Sequence, residues 1–431
     1  MKKIKKIVPI IISAGMLLPT TSYASDLTLE EAVTTALENN INLKTAVENE
    51  NVAKSNLDIA KGQSGFSVSV SEGVSANKVE GQSSSVSNSF SISSNYSLYD
   101  GNKNNNNIKS NEMGIDIARL ETEQTANDLV KDVSIAYYNA LEARDTVKVN
   151  QEVVKNYTAH LDNVNKLFAG GVKAKIDVLR TEVELADAKQ KLTKAQVSYD
   201  NKIDILKTYM NAYSKDELTL TSPIVMIPLN NDVDYYLKQS KENRTDLKID
   251  NYKIKQAELG VESARAGYKP NVNWSVSTNH SHSFSDSNKG NNFGFSSGVN
   301  LNWNIFDGGV TKAKVEENES LLKTAKLNLE KDMLNSSLKI RTAYLNLKEA
   351  NSRFDSASKA IAKAEEDCRI AIIKYTAGEG LLIDMIDAQT ALMNARLNLC
   401  NAQYDYARNQ VELQNAVGDL YNNYLNKVEN I

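Results

Sequence analysis

Two stretches of this chain repeat one another at a constant spacing, and that duplication limits the fold more than any other feature. At an offset of 207 residues, Asp100-Gly101 returns as Asp307-Gly308, Ala136-Tyr137 and Asn139 as Ala343-Tyr344 and Asn346, and Glu142-Ala143 as Glu349-Ala350. Gly171 returns as Gly378 and Ile176-Asp177 as Ile383-Asp384. Leu185, Ala188, Leu192, Ala195 and Tyr199 return as Leu392, Ala395, Leu399, Ala402 and Tyr406. Upstream the offset is 204, carrying Ala53, Leu57 and Ala60 onto Ala257, Val261 and Ala264. The change of three residues falls between two regions of strand character, where a hairpin loop absorbs it. A register held this long marks one duplicated unit of roughly 200 residues rather than a coincidence of helical spacing.

Each unit reads as a helix, two strands and two long helices, an α-β-β-α-α order. The first helix is expected over 29–61 and its counterpart over 233–267. The period then changes from helical to two. Phe66, Val68, Val70 and Val74 alternate with Ser67, Ser69, Ser71 and Ser75, and Val86, Phe90, Ile92, Tyr96 and Leu98 with Ser87, Ser89, Ser91 and Ser97. In the second unit Val272, Trp274 and Val276 alternate with Asn273, Ser275 and Ser277, and Phe293, Phe295, Val299, Leu301, Trp303 and Ile305 fall in one phase. Strands are expected over 66–76 and 86–99 and over 271–284 and 292–306, with polar loops at 77–85 and 285–292. Pro270 opens the third strand, where proline costs no ladder bond. Residues 103–168 then run without proline and with the single glycine Gly114, which predicts a helix of roughly 100 Å at ~1.5 Å per residue. Residues 311–375 repeat it. Both return through glycine turns, with tips at 170–175 and 377–381, into helices over 176–211 and 381–424. Helices this long need coiled-coil partners, as Leu and Ala at heptad-like spacing imply. The organisation expected is repeat 1 over 25–212, a linker over 213–231 holding Pro223, Pro228 and a short strand, repeat 2 over 232–424 and a tail over 425–431.

The strand alternation suits either a soluble sheet on a core or a membrane barrel with lipid outside and water inside. The polar phase is Ser and Asn with few charges, as a wetted lumen requires. Both tryptophans, Trp274 and Trp303, lie near the helical ends with Tyr96, Tyr99 and Phe306, where an interfacial aromatic girdle belongs. Strands of ~10–13 residues are long enough to cross hydrocarbon when tilted. Glu72 falls in the lipid phase and fits only near the outer interface. Four strands cannot close a barrel, and open edges in lipid cost several kcal/mol per unsatisfied group. Two copies would supply eight strands and three would supply twelve; local physics does not choose between them.

The N-terminus reads as a signal peptide over 1–24: Lys2, Lys3, Lys5 and Lys6, an apolar run over 7–18, and Ser22-Tyr23-Ala24 before the cut. Its removal takes the net charge from −4 to −8, and an acidic exported chain is a poor nucleic-acid binder. No later apolar run approaches the ~20 residues of a membrane helix. Two cysteines, Cys368 and Cys400, give no disulfide framework, and three histidines leave little for a metal or acid–base site. His280 and His282 share a strand face but read as an outer rim. With no phosphate loop and no Ser/His/Asp set, an enzyme, a metal and a cofactor are not expected.

From 27 to about 420 the chain resembles the TolC family of outer-membrane efflux and secretion channels. The resemblance rests on the aromatic-Asp-Gly step (Tyr99-Asp100-Gly101, Phe306-Asp307-Gly308), the Ala-Tyr element, and a tip motif, Phe168…Gly171…Asp177 and Tyr375…Gly378…Asp384. It implies a homotrimer with a twelve-stranded outer-membrane barrel and a long coiled-coil α-barrel in the periplasm. It also implies docking to a periplasmic adaptor and an inner-membrane pump. Asp384 and Asp387, three apart on one helix face, match the aspartates that constrict the family's entrance; repeat 1 has Asp177 and Arg180 there. Tyr375 and Asp177 match positions of the closed-state latch. The family's partner arginine falls at Gly380, so a weaker or differently bonded latch is expected. Gly171, Val172, Gly378 and Glu379 are the candidate docking tip. The competing reading is an exported coiled-coil or adhesin-like surface protein.

Overall fold

The computed structural model describes residues 25–78, 80, 84–212, 218–285, 288–421 and 424. The expected signal peptide and tail lie outside these residues, as do parts of both strand loops and the start of the linker. In chain order the elements are β1 (Ser25–Leu27), α1 (Leu29–Asn39), α2 (Ile41–Gln63), β2 (Ser67–Asn77), β3 (Ser85–Tyr99), α3 (Lys103–Ala169) and α4 (Lys175–Met210). They continue with β4 (Leu218–Leu220), α5 (Val233–Asn243), α6 (Thr245–Arg265), a 3-10 turn (Ala266–Tyr268), β5 (Asn271–Ser285), β6 (Asn288–Asn302), α7 (Val310–Ala377) and α8 (Leu382–Val417). They divide into two units. Of the described residues, one unit takes those within 45–123 and 245–334; the other takes those within 25–44, 124–244 and 335–424.

The first unit holds an antiparallel four-stranded sheet in the order β2-β3-β5-β6. The two hairpins therefore join through β3 and β5, and β2 and β6 form the edges. The strand expected over 292–306 stops at Asn302. Its one partner among the described residues, β5, begins at Asn271, paired with Asn302, and the preceding Pro270 has no N–H to extend the ladder. Trp303 and Phe306 therefore lie in the connection to α7.

The second unit is helical, with β1 and β4 paired in parallel. Its core joins Val33 and Ala36 of α1, Val133, Tyr137 and Leu141 of α3, Leu206 and Met210 of α4, Leu220 of β4 and Tyr404 of α8. The Ala-Tyr element has a structural use here. The buried Tyr137 hydroxyl donates to the Leu27 carbonyl (2.7 Å) and accepts from the Ser222 amide (3.1 Å), tying α3 to the β1/β4 pair.

The single helices expected over 29–61 and 233–267 are each broken. Thr28 and Glu31 close a capping box on α1, which ends at Asn40 in extended backbone (ψ 129°). The Asn40 side chain donates to the Tyr209 carbonyl (3.0 Å) while its oxygen accepts from Asn42 N (2.9 Å), so one residue ends α1 and caps α2. Arg244, at the same place in the second repeat, breaks α5 from α6 with ψ 123°, and its guanidinium donates to the Ala416 carbonyl (2.7 Å). α8, expected to reach 424, ends at Val417 because Gly418 turns left-handed (φ +83°). A Cβ there would meet Arg244 Cα at 3.1 Å, so only glycine lets the backbone approach this closely.

Candidate functional site

The two helical hairpins of the second unit close in the same way. Gly171 N donates to the Phe168 carbonyl (3.0 Å) and Val172 N to the Leu167 carbonyl (2.9 Å). Gly378 N donates to the Tyr375 carbonyl (3.2 Å) and Glu379 N to the Lys374 carbonyl (2.9 Å). Each crossed pair is a Schellman closure, and its pivot needs the left-handed backbone that Gly171 (φ +73°) and Gly378 (φ +82°) supply. The returning helices start without a side-chain cap, since Ala174 and Leu381 have no oxygen to offer. Asp177 and Asp384 stand in their first turns instead, where the helix dipole favours a carboxylate.

The residues singled out in the sequence separate into two groups at these tips. Gly171, Val172, Gly378 and Glu379 are exposed, Val172 by 68%. Asp384 and Asp387 are exposed too, on a face whose neighbours Met385, Ile386 and Ala388 point inward. Tyr375 is the opposite case, 1% exposed in a cluster with Val164, Val178, Leu382, Met385 and Ile386.

Tyr375 and Asp177 are brought together, but not by a hydrogen bond. The Tyr375 hydroxyl is buried with no partner among the described residues. Lys173 Nζ lies 4.0 Å over its ring, and the His160 ring meets it edge-on at 5.4 Å. Burial, and then the Asp177 carboxylate, push the Tyr375 phenol above its ordinary value. Burial holds His160 below the ordinary imidazole value of 6.5; the Asp177 carboxylate opposes this and the Lys173 charge adds to it. A Cβ on Gly380 would stand 3.0 Å from Lys374 Cβ and from Tyr375 N, so a side chain at the position matching the arginine would need its neighbours to give by a few tenths of an ångström. His160 and Lys173 were not singled out in the sequence. The available signal was that His160 is the only one of the 3 histidines outside β5.

In the first unit the register sorts the sheet into two faces. On one, Ser69, Ser93, Ser277 and Ser296 share a row across all four strands. The Ser69 and Ser93 hydroxyls lie 2.7 Å apart, and those of Ser277 and Ser296 lie 2.8 Å apart. On the other, Val70, Ile92, Thr278 and Phe295 share a row, and the edge residues Val70 and Phe295 are 63% and 70% exposed. Two residues towards the loops, Glu72, Phe90, His280 and Phe293 form the next row on this face, and Val74, Asn88, His282 and Asn291 the one after. Glu72 thus begins a polar band. The His282 ring contacts the Asn291 side chain and Phe284, and no group of three metal-ligating side chains occurs among the described residues.

The aromatic residues gather at the opposite end. Tyr96 and Trp274 are register partners. Phe66 stacks on Tyr96 at 4.5 Å and meets Trp274 edge-on at 5.8 Å. Tyr99 faces Val272 across a register shift in β3. Trp303 donates its indole N–H to the Tyr268 carbonyl (3.1 Å), and Phe306 is exposed. No helix among the described residues is long and apolar enough to cross a membrane.

Comparison with known proteins accounts for this combination. The profile of the family described as "Outer membrane efflux protein" matches residues 32–212 and 236–419. Outer membrane protein TolC of Escherichia coli (strain K12) is 23% identical over 71% of this chain, and the match spans 64% of its own length. The outer membrane efflux protein BepC of Brucella suis biovar 1 (strain 1330) is 22% identical, with 95% of this chain and 90% of BepC covered. Among solved structures, the Campylobacter jejuni CmeC outer membrane channel superposes with a TM-score of 0.77 at 18% identity, covering 96% of this chain and 97% of CmeC. With both repeats matched, through their strand pairs and their glycine tips, the chain belongs to the outer membrane efflux protein family.

Proposed function

We propose that this chain is one protomer of a homotrimeric outer-membrane duct, the passive exit of a tripartite efflux or type I secretion system. The observation that carries the reading is the four-stranded sheet. One face is serine-rich, the other apolar, and both edges are unpaired among the described residues. In lipid each open backbone group costs several kcal/mol, so β2 of one protomer must pair with β6 of the next. An eight-stranded closure would fill its interior with side chains, whereas twelve strands leave room for water. Among the closures wide enough for a duct, the family resemblance selects three copies. The Phe66, Tyr96 and Trp274 cluster fits the periplasmic interface and the Glu72 row the outer one.

The organisation that goes with this reading is an exported leader over 1–24, repeats over 25–212 and 232–424, and a linker over 213–231 on the outside of the helices. Asp384 and Asp387 would repeat threefold as stacked acidic rings at the periplasmic entrance, favouring cations and opposing anions. Tyr375 and Asp177 would hold the two hairpins of a protomer together in the closed state. The exposed tip, Gly171, Val172, Gly378 and Glu379, would meet a periplasmic adaptor that in turn holds an inner-membrane pump. The pump, not the duct, would set the cargo.

The test is reconstitution of the purified full-length protein into planar bilayers. Discrete, cation-selective conductance steps are expected. A protein that leaves the outer-membrane fraction and shows no conductance would instead be an exported rod or surface adhesin.

A further inference from the structure

The two repeats differ at one packed joint. In the first unit α2 rests on α3 where the Thr122 hydroxyl donates to the Ala46 carbonyl (3.2 Å). The offset of 204 carries Ala46 onto Asp250 of α6, and the offset of 207 carries Thr125 onto Asp332 of α7. α6 packs along α7 in the same unit: Arg265 pairs with Glu319 (3.0 Å), and a Cβ on Gly260 would stand 3.0 Å from Asn318 Oδ1. At the matching positions one repeat has alanine and threonine and the other has two aspartates. The packing of the repeat therefore does not call for acids.

Asp250 is 8% exposed, and its Oδ2 is buried with no hydrogen-bond donor among the described residues. What lies within hydrogen-bonding reach is another carboxyl, that of the half-buried Asp332. Two ionised carboxylates offer acceptors and no donor, and burying two like charges side by side is costly. A proton on one of them supplies the missing donor. The other charges around the joint leave that balance in place. On α6, Asp246 adds to the negative charge, and Lys253, which opposes it, is exposed. On α7, Glu330 and Lys331 are exposed, and Lys331 Nζ donates to Asn328 Oδ1 (3.3 Å). On α3, which α6 meets through Gln256 Nε2 and the Ser110 carbonyl (2.8 Å), Arg119 and Asp116 form a pair of their own. Burial first, and then Asp332, hold the Asp250 carboxyl above its ordinary value of 3.8.

We propose that Asp250 and Asp332 share a single proton and form a pH-sensitive clasp between α6 and α7. The clasp is closed while the proton is held. It loosens when the proton passes to water and both carboxylates are ionised. The sign follows by linkage. The folded state holds this proton more tightly than the unfolded chain, so the contribution is complete below 3.8 and is lost as pH rises through the raised value. This is opposite to the effect of a histidine held low by burial. The clasp lies within the first unit and does not depend on the duct reading.

Infrared difference spectra of the detergent-solubilised full chain, titrated from pH 4 to pH 8, read a protonated carboxyl directly. The parent should show a protonated-carboxyl band that outlasts those of the exposed acids. That band should be missing from Asp250→Asn. It should also be missing from Asp250→Ala with Asp332→Thr, the pair of residues that the first repeat already carries. His160→Gln should leave it in place. In thermal melts the parent should lose more stability between pH 5 and pH 8 than either aspartate variant, by a few degrees. Circular dichroism of all variants should match the parent. No band separating the parent from the aspartate variants, or melts with the same pH dependence in all of them, would overturn the shared proton. Calcium chloride that raises the melting temperature of the parent at pH 8, and not that of the variants, would overturn it in favour of a divalent cation between the carboxylates.

Discussion

Asp384 and Asp387 look alike in the sequence but are explained to different degrees by the structure. A carboxylate in the first turn gains roughly 0.3–1 kcal/mol from the helix dipole, so Asp384 at the start of α8 would be favoured even without a gate. Asp387 sits a turn further on, exposed over buried Ile386 and Ala388, and no element of the fold calls for it. Asp387→Asn should therefore reduce cation preference without lowering stability, and the double change with Asp384→Asn should also weaken block by polyvalent cations. Reversal potentials under a salt gradient measure this, and an unaltered selectivity would remove the gate role. This pair was legible because two acids three apart on a predicted helix need only the helical period. His160 was not, since nothing local marks a histidine that meets Tyr375 from another hairpin. Its pKa is held low by burial, so the packed state binds its proton less readily than the opened one. The sign follows by linkage: its contribution is complete above the ordinary value of 6.5 and is lost as pH falls through it. Thermal melts at pH 8 and pH 5.5 should therefore differ less for His160→Gln than for the parent; an equal difference would show that the ring titrates freely.

At the scale of elements, period and punctuation separate what the sequence displays from what it hides. The strands announce themselves because one face is serine and the other valine or phenylalanine, and the hairpin tips because glycine ends a proline-free helix. The breaks at Asn40 and Arg244 carry no such mark. Neither residue is Gly or Pro; each break is made by side-chain bonds to distant carbonyls, of Tyr209 and of Ala416. Of the β1/β4 pair only a short strand in the linker is expected from the sequence; its partner β1 and their parallel pairing are hidden, because three-residue strands exist only as register partners almost 200 positions apart. The sheet makes a sharper prediction, because neighbouring residues of β2 face opposite ways. Val70→Arg puts a charge on the apolar face and should cost about 2–4 kcal/mol near the bilayer midplane. Ser71→Arg puts it among the serines, where it should be tolerated and shift selectivity towards anions. The yield of assembled protein in the outer-membrane fraction reads the difference. Equal losses for the two variants would mean that the faces are not lipid and water.

For the whole molecule, the argument turns on what the chain leaves unfinished. β2 and β6 are the sheet's edges, 11 and 15 residues long, and neither carries the devices that protect a soluble edge, such as proline or rows of inward charge. Val68, Val70, Phe293 and Phe295 lie exposed along them. Such an edge is a template for another strand, and the duplication supplies that strand in every further copy of the chain. Closure into a ring uses each edge once and leaves none over, whereas an open array would leave two in lipid however long it grew. On the proposed reading the count is three: an eight-stranded closure fills with side chains, a wider one leaves room for water, and the family resemblance selects twelve strands. Cysteines placed singly along β2 and β6 of the same chain, with Cys368 and Cys400 replaced by alanine, test closure and count together. Oxidation in membranes should give dimer and trimer bands and nothing larger, and only for pairs that join β2 to β6. A ladder running past trimer would indicate an open array, and a series ending at dimer would indicate an eight-stranded closure with no room for a duct.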